Sequence, residues 1–243
     1  MRSQEKRIDD LVKAYLSHQA QINLFHDQLL QALTSSAKLS HLIHSIRSRV
    51  KDPERLRGKL QRQWAKRRDA GKDFDIRPEN LLLKINDLVG IRVLHLYTRQ
   101  IREIDASLRE ILNENQYKLV EDPVARTWDD ESRSFFQECK IKTQASPSLY
   151  TSVHYVVESA SRTKITAEIQ VRTLMEEVWG EVNHRINYPY ETESLACREQ
   201  LKVLARVTSS ATRLVDSIFS TFDDHVHRRR GTTVGPTIRP RQR

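Results

Sequence analysis

An α+β fold, with a mixed β-sheet flanked by helices, a long helix before it and a helical layer after it, is what this sequence predicts. Two observations carry that reading. Segments with apolar residues every three or four positions interleave with segments in which apolar and polar residues alternate, the periods of helix and strand respectively. Their order is helix, strand, helix, strand, helix, several strands, then helices, with no strict strand–helix–strand repeat, so an all-parallel sheet is not expected.

From Ile8 to Leu33 the apolar residues Ile8, Leu11, Val12, Tyr15, Ile22, Phe25, Leu29, Leu30 and Leu33 keep helical spacing and predict one long helix. Ser35 and Ser36 break the pattern. Alternation then sets Leu42, His44, Ile46, Ser48 and Val50 against Ile43, Ser45, Arg47, Arg49 and Lys51, which predicts a strand over 43–51. Asp52-Pro53-Glu54 supplies an N-cap residue and a proline at the first helical position, opening a basic helix that runs to about Arg68 and ends at DAGKDFDIRP. Pro78-Glu79-Asn80 opens a short helix through Leu83, and Gly90 introduces the run IRVLHLY, a strand over 91–97. Helical spacing returns over 100–114 through Ile101, Ile104, Leu108, Ile111 and Leu112. Strands are expected at 117–121, 134–142, 151–158 and 164–171, and helices at 173–187 and 193–222. The last helix carries Leu201, Leu204, Val207, Ala211, Leu214, Val215, Ile218 and Phe222 on one stripe. The chain thus divides into an N-terminal helical extension (1–40), a core (41–190), a C-terminal helix packing on the core (191–227) and a disordered basic tail (228–243), whose RRRGTTVGPTIRPRQR holds six Arg and no acid.

The 243 residues fit one domain with polar extensions, or at most two small ones. The longest aliphatic run, Leu81-Leu82-Leu83, is far short of the roughly 18 apolar residues of a membrane span. The opening MRSQEKRIDD has no apolar core for a secretion signal, so a cytoplasmic protein with no membrane partner is expected. Cys139 and Cys197 stand without C-x-x-C spacing and are expected to be ordinary thiols. With 41 Lys and Arg against 32 Asp and Glu, the net charge of +9 favours polyanionic partners such as nucleotides or RNA. Charge alone does not choose between them, and a homo-oligomer is compatible with the sequence.

Four features could carry chemistry. In TAEIQVR, strand alternation puts Thr166, Glu168, Gln170 and Arg172 on one face and Ala167, Ile169 and Val171 on the other; the row is either a site or a solvated outer face. TSVHYVV repeats the arrangement with Ser152 and His154 opposite Val153, Tyr155 and Val157, where the histidine could equally be structural. Asp87 sits just before a buried strand, as a ligand or as the stop of the preceding helix. Arg47, Arg49 and Lys51, followed by Arg55 and Lys59, would repel one another unless an anion lies between them, and a triphosphate meets that need. The alternative is a solvated basic helix, since Arg57, Arg62, Lys66, Arg67 and Arg68 follow. Two carboxylates and a cation cluster on different strands are what metal-assisted phosphoryl chemistry requires.

The order and wording of RVKDPERLRGK, INDLVGIRV, LYTSVHYVV and EIQVRTLMEEVWGEVNHR, spread over residues 42 to 190, resemble the successive motifs of the RelA/SpoT-type synthetase domain in its stand-alone form. The resemblance implies a nucleotidyltransferase-like mixed sheet and a pyrophosphokinase that moves the β,γ-diphosphate of ATP to the ribose 3′-hydroxyl of GDP or GTP. By position it implies that Asp87 and Glu168 are the catalytic carboxylates and Mg²⁺ ligands, Glu168 also taking the hydroxyl proton. Arg47, Arg49, Lys51, Arg55 and Lys59 would bind ATP. Tyr150 would stack on the acceptor base, with Ser152, His154, Gln170, Arg172 and His184 on the acceptor side.

The family usually has Ser where Arg55 stands, Gly where Leu149 stands and a basic residue where Thr151 stands, and EDPVART and QASPSL do not reproduce its acceptor-loop stretches. The departures cluster on the acceptor side. Toxic members that pyrophosphorylate the 3′ end of tRNA or adenosine nucleotides would differ there, so they stand as an alternative, as does a catalytically inactive RNA-binding module on the same fold. The basic tail is the segment expected to contact RNA. His26-Asp27 lies inside an amphipathic segment with no second metal motif, so the resemblance does not extend to a hydrolase domain, nor to regulatory domains after the synthetase.

Overall fold

The structure, a computed structural model, describes residues 2–231. In chain order it holds α1 (Arg2–Ser17), α2 (Gln19–Thr34), α3 (Ala37–Leu42), β1 (Ser45–Val50), α4 (Pro53–Asp69), α5 (Leu81–Lys84), β2 (Val89–His95), a 3₁₀ turn (Thr98–Gln100) and α6 (Ile101–Glu114). Then follow β3 (Lys118–Leu119), β4 (Val124–Thr127), α7 (Asp130–Glu138), β5 (Lys142–Ala145), β6 (Ser152–Glu158), β7 (Thr166–Thr173), α8 (Leu174–Asn187) and α9 (Leu195–Gly231). The seven strands form one mixed sheet in the order β1-β2-β7-β6-β4-β5, with β3 also pairing β6. β2 and β7 run parallel at its centre, while β1 is antiparallel to β2 and β6 to β7. The α+β class with a helix-flanked mixed sheet is borne out.

Alternation gives the sheet two unlike faces. Val89, Ile91 and Val93, Ala167, Ile169 and Val171, and Val153, Tyr155 and Val157 are buried, in one core with Ile8, Leu11, Ile22 and Leu29 of the first two helices and Ile104 and Leu108 of α6. Truncating a fully buried leucine such as Leu29 to alanine would cost about 2–5 kcal/mol. The opposite face carries the polar rows. Register places Arg47, Arg92, Gln170 and His154 side by side across four strands, with Arg49, Gly90 and Glu168 in the next rank.

Several local expectations are corrected. The single long N-terminal helix is two, broken at His18, whose ring Nδ1 lies 2.8 Å from the Ala14 carbonyl oxygen. The break lets the two halves cover different ground, α1 packing on α4 and α2 on β1. On the first half, Arg7 donates to the carbonyls of Phe74 and Ile76 beneath the rings of Trp64 and Phe74, and the Tyr15 hydroxyl donates to the Lys51 carbonyl. The strand expected at 134–142 is mostly α7. Asp129 caps that helix by accepting from the Ser132 backbone, and Phe135 and Phe136 sit side by side, which alternation does not allow. Only Lys142–Ala145 is extended there, and β4 at Val124–Thr127 was not expected at all. The central strand begins at Val89, so Gly90 lies within it.

The last helix extends to Gly231, so the start of the expected disordered tail is helical; the remainder of the tail lies outside the described residues. Half of its expected packing stripe also faces outward, with Val207, Leu214, Ile218 and Phe222 exposed. No helix among the described residues is long and apolar enough to cross a membrane.

Candidate active site

Beside the polar face of β1, β2 and β7, with α8 across from it, lies a cavity of about 420 Å³ lined by Arg47, Ser48, Arg49, Arg55, Asp87, Gly90, Ile91, Arg92, Glu168, Gln170, Glu181, His184 and Arg185. Gly90 stands between Arg49 and Glu168 in the ladder, and its missing side chain leaves the floor open between cation and carboxylate. Seven of the residues expected from sequence therefore meet here: Arg47, Arg49, Arg55, Asp87, Glu168, Gln170 and His184.

The cation side is built locally. β1 aims Arg47 and Arg49 from one face, the chain turns at Asp52, and the Asp52 side chain caps α4 by accepting from the backbones of Glu54 and Arg55. One turn of helix further, Lys59 reaches back to Asp87, with Nζ 2.6 Å from Oδ1, while Lys51 lies 2.7 Å from Oδ2. Burial pushes the Asp87 carboxyl up, but Lys59 and Lys51 together outweigh it and hold it below its ordinary value. Lys51 is also shifted downward, because its burial outweighs the attraction of Asp87, with Lys59 and Arg49 adding to the effect. Both directions follow from one crowded, half-dry cluster that is rich in positive charge.

Glu168 is fixed by two neighbours. His154 Nδ1 lies 2.8 Å from Oε1, and the Gln170 amide donates to Oε2 at 3.0 Å. Burial pushes Glu168 up, and these partners more than compensate, so the carboxyl stays below its ordinary value. Behind it, His154 Nε2 lies 2.6 Å from the Ser152 hydroxyl, making a Ser152–His154–Glu168 chain directed at the cavity. The arrangement suits a carboxylate that accepts a proton from a hydroxyl held above it.

The remaining expected residues lie deeper. Tyr150 donates to Gln170 Oε1 at 3.3 Å, with its ring near Trp179 and edge-on to His154. Arg172 does not line the cavity. It is buried in a close ion pair with Glu177 and lies over the Tyr150 ring. Gly180 makes this possible, since a Cβ there would sit 2.7 Å from an Arg172 guanidinium nitrogen. His184 stacks on Tyr188, and burial together with nearby Arg55 lowers its pKa.

Sequence reasoning missed Arg92, Glu177, Glu181 and Arg185. Arg92 donates to Glu177 at 3.1 Å and to Glu181 at 2.5 Å, while Arg47 also reaches Glu177 at 3.3 Å. The signal was present: Glu177, Glu181 and Arg185 are spaced by four on one helical face, and Arg92 follows Gly90 by two on a strand.

The metal expectation can be weighed against the donor set. Among the described residues no group of three His, Cys, Asp or Glu side chains forms a cage. Mg²⁺ instead commonly takes one or two carboxylates and completes its shell with phosphate oxygens and water. Asp87 and Glu168, both held toward the ionised form at one open cavity, fit that requirement.

Residues 48–193, well over half of the chain, match the model of the region found in RelA/SpoT proteins. No curated protein matches the sequence. Among solved structures, the chain is similar to a GTP pyrophosphokinase family protein from Streptococcus pneumoniae (TM-score 0.54, 21% identity, 91% of this chain and 95% of that one covered). It is likewise similar to small alarmone synthetase 1 from Bacillus subtilis bound to its product pppGpp (TM-score 0.57, 18% identity, 84% and 93% covered). The same B. subtilis protein bound to AMPCPP gives a TM-score of 0.54 at 15% identity, with 85% and 94% covered. At these identities the likeness establishes the fold.

Proposed function

This chain belongs to the RelA/SpoT family, and from that premise we propose that it is an ATP-dependent diphosphotransferase acting on the 3′-hydroxyl of GDP or GTP. One observation carries the reading: Asp87 and Glu168 face a single cavity whose other wall is Arg47, Arg49 and Arg55. An inactive RNA-binding module would have no use for two ionised carboxylates in a basic cleft, because they repel phosphate.

In this reading Arg47, Arg49 and Arg55 grip the donor phosphates, and Lys51 and Lys59 move from Asp87 toward them as the triphosphate enters. Asp87 and Glu168 would hold Mg²⁺, which, when bound, neutralises charge on the phosphate oxygens. Glu168, kept ionised by His154 and Gln170, accepts the proton of the ribose hydroxyl. The freed oxygen attacks the β-phosphorus of ATP, the bond from that phosphorus to the oxygen bridging the α-phosphate breaks, and AMP leaves. Tyr150 and Gln170 bound the acceptor side, and the stacking of a base on Tyr150 requires its ring to turn out from Trp179.

The test is incubation with γ-labelled ATP, Mg²⁺ and, in parallel, GDP, GTP, ADP, ATP and tRNA. Label on GDP or GTP with equimolar AMP is the expected result. Label on an adenosine nucleotide or on the tRNA 3′ end would move the acceptor to the toxic branch of the family, in keeping with Leu149 and Thr151, and no transfer to any acceptor would refute the reading.

A further inference from the structure

The loop that carries Tyr150, between β5 and β6, is held in a strained shape. Leu149 has a φ of 56°, in the left-handed region; Gln116 and Lys140, also left-handed, each close a helix, whereas Leu149 sits between two strands. A leucine keeps that conformation where its surroundings impose it. Three anchors do so here. Ser146 accepts from the Tyr150 N–H on its hydroxyl at 3.3 Å and from the Leu149 N–H on its carbonyl at 3.2 Å. On β4, the Thr127 carbonyl takes the Ser146 N–H at 3.0 Å, and its hydroxyl lies 3.0 Å from that of Thr151. On α8, the Glu176 carboxylate accepts the Thr151 N–H at 3.2 Å.

Glu176 is an expensive residue for that place. It lies in the first turn of α8, where the Thr173 hydroxyl accepts its own N–H at 3.3 Å, and it is 5% exposed. The charged and titratable side chains that share its small buried cavity are engaged elsewhere: Arg172 of β7 with Glu177, Arg213 of α9 with Asp129, and His95 of β2 with the Tyr97 carbonyl. An apolar side chain could fill this position without the desolvation that a carboxyl suffers. What the carboxyl supplies instead is an acceptor for the loop. Because the bond is made to the Thr151 backbone, it fixes the loop and leaves the Tyr150 ring free to turn out from Trp179, the movement that stacking on a base requires.

We propose that Glu176 is a positioning residue for the acceptor: by holding the Thr151 N–H it keeps the 146–151 loop docked on α8 and so sets the affinity for the acceptor nucleotide. The role rests on the acceptor reading of Tyr150 given above. Two variants of the full chain test it, Glu176→Met, which keeps the bulk and loses the acceptor oxygen, and Glu176→Gln, which keeps an acceptor oxygen. Without nucleotide, amide hydrogen exchange across 149–151 should quicken about tenfold or more in Glu176→Met and stay near wild type in Glu176→Gln, with the circular dichroism of all three chains alike. In calorimetric titration Glu176→Met should bind GDP about tenfold more weakly, with the affinity for a non-hydrolysable ATP analogue changed by less than about twofold, and Glu176→Gln should restore GDP binding. Unchanged exchange in Glu176→Met, equal losses of GDP and ATP-analogue affinity, or a GDP loss that Glu176→Gln does not rescue would each overturn the proposal. A wild type that binds neither GDP nor GTP would refute the functional reading beneath it, and the exchange measured without nucleotide tells that failure from a failure of the anchor.

Discussion

The basic wall of the cavity and the layer behind its β7–α8 wall are charged by opposite strategies. On the β1–α4 side, five cations come from the single stretch 47–59; Arg47, Arg49 and Arg55 are exposed, and Asp87 is shared by two lysines. Behind the lining on the β7–α8 side, Arg172, Glu177 and Glu176 are buried, and the charges of Arg172 and Glu177 neutralise each other. The first wall is poised for a ligand that is not part of the protein, and the second is finished within the fold. Substitutions on the first should therefore act on binding, and those on the second on stability, with Glu176 acting also through the loop it anchors.

The largest effect is expected at the seam where the walls meet. Asp87→Asn and Glu168→Gln each remove charge without volume and should lower transfer on the order of 10²–10⁴-fold, with the circular dichroism spectrum of the folded chain retained. Rates near wild type for either variant would remove these carboxylates from the reaction.

Next comes the finished wall. Arg172→Ala removes the buried partner of one Glu177 oxygen, while Arg92 and Arg47 still hold the other, and should cost about 1–3 kcal/mol in urea unfolding. A loss confined to nucleotide affinity would mean that the wall is not structural after all.

The same wall should show in the pH dependence of stability. Burial raises Glu176 from its ordinary 4.5 to about 7, although the Thr151 backbone donates to it. Between those values the native state keeps a proton that the unfolded chain has released, so stability falls as pH rises from about 4.5 to about 7, then levels off. Glu176→Gln should erase that slope, roughly 3 kcal/mol in all. Asp87 has the opposite sign: its contribution is present above its ordinary 3.8 and is lost as pH falls through its lowered native value. Parallel pH–stability profiles for wild type and Glu176→Gln would remove Glu176 from the account.

The smallest effect belongs to the open wall. Arg49→Ala should raise the KM for ATP about tenfold while leaving the KM for the acceptor and the unfolding free energy within about 0.5 kcal/mol. An effect limited to the acceptor would reverse the two ends of the cavity.

The same contrast governs how much could be read from sequence. The open wall was legible because it is local: alternation aims Arg47 and Arg49, and Asp52-Pro53 fixes the start of α4. The strand faces bearing Glu168 and His154 were legible too, since period two survives burial on one side. The finished wall was not, because Arg92, Arg172 and Glu177 become partners only through strand pairing and the closeness that Gly180 permits. α7 replaces the strand expected at 134–142 because the Asp129 side chain caps a helix there, a local signal that short-range alternation does not carry. On α9 only half of the expected apolar stripe packs inward, since small and hydroxyl-bearing residues such as Ala205, Thr208 and Thr212 make much of the inner face.

The parallel pairing of β2 with β7 also has a consequence for how the protein comes into being. Val89 pairs with Ala167, and everything from the 3₁₀ turn to β6 is made in between. During synthesis the basic stretch emerges first, long before the strand that carries Glu168. A contact so distant along the chain closes late and slowly, because the intervening loop must be ordered before the pairing rewards it. A nascent chain therefore passes through a period in which it holds cations and Asp87 but no second carboxylate. In the reaction proposed above it could attract polyphosphates then, yet the carboxylate proposed to receive the acceptor's proton would be missing until translation has passed β7.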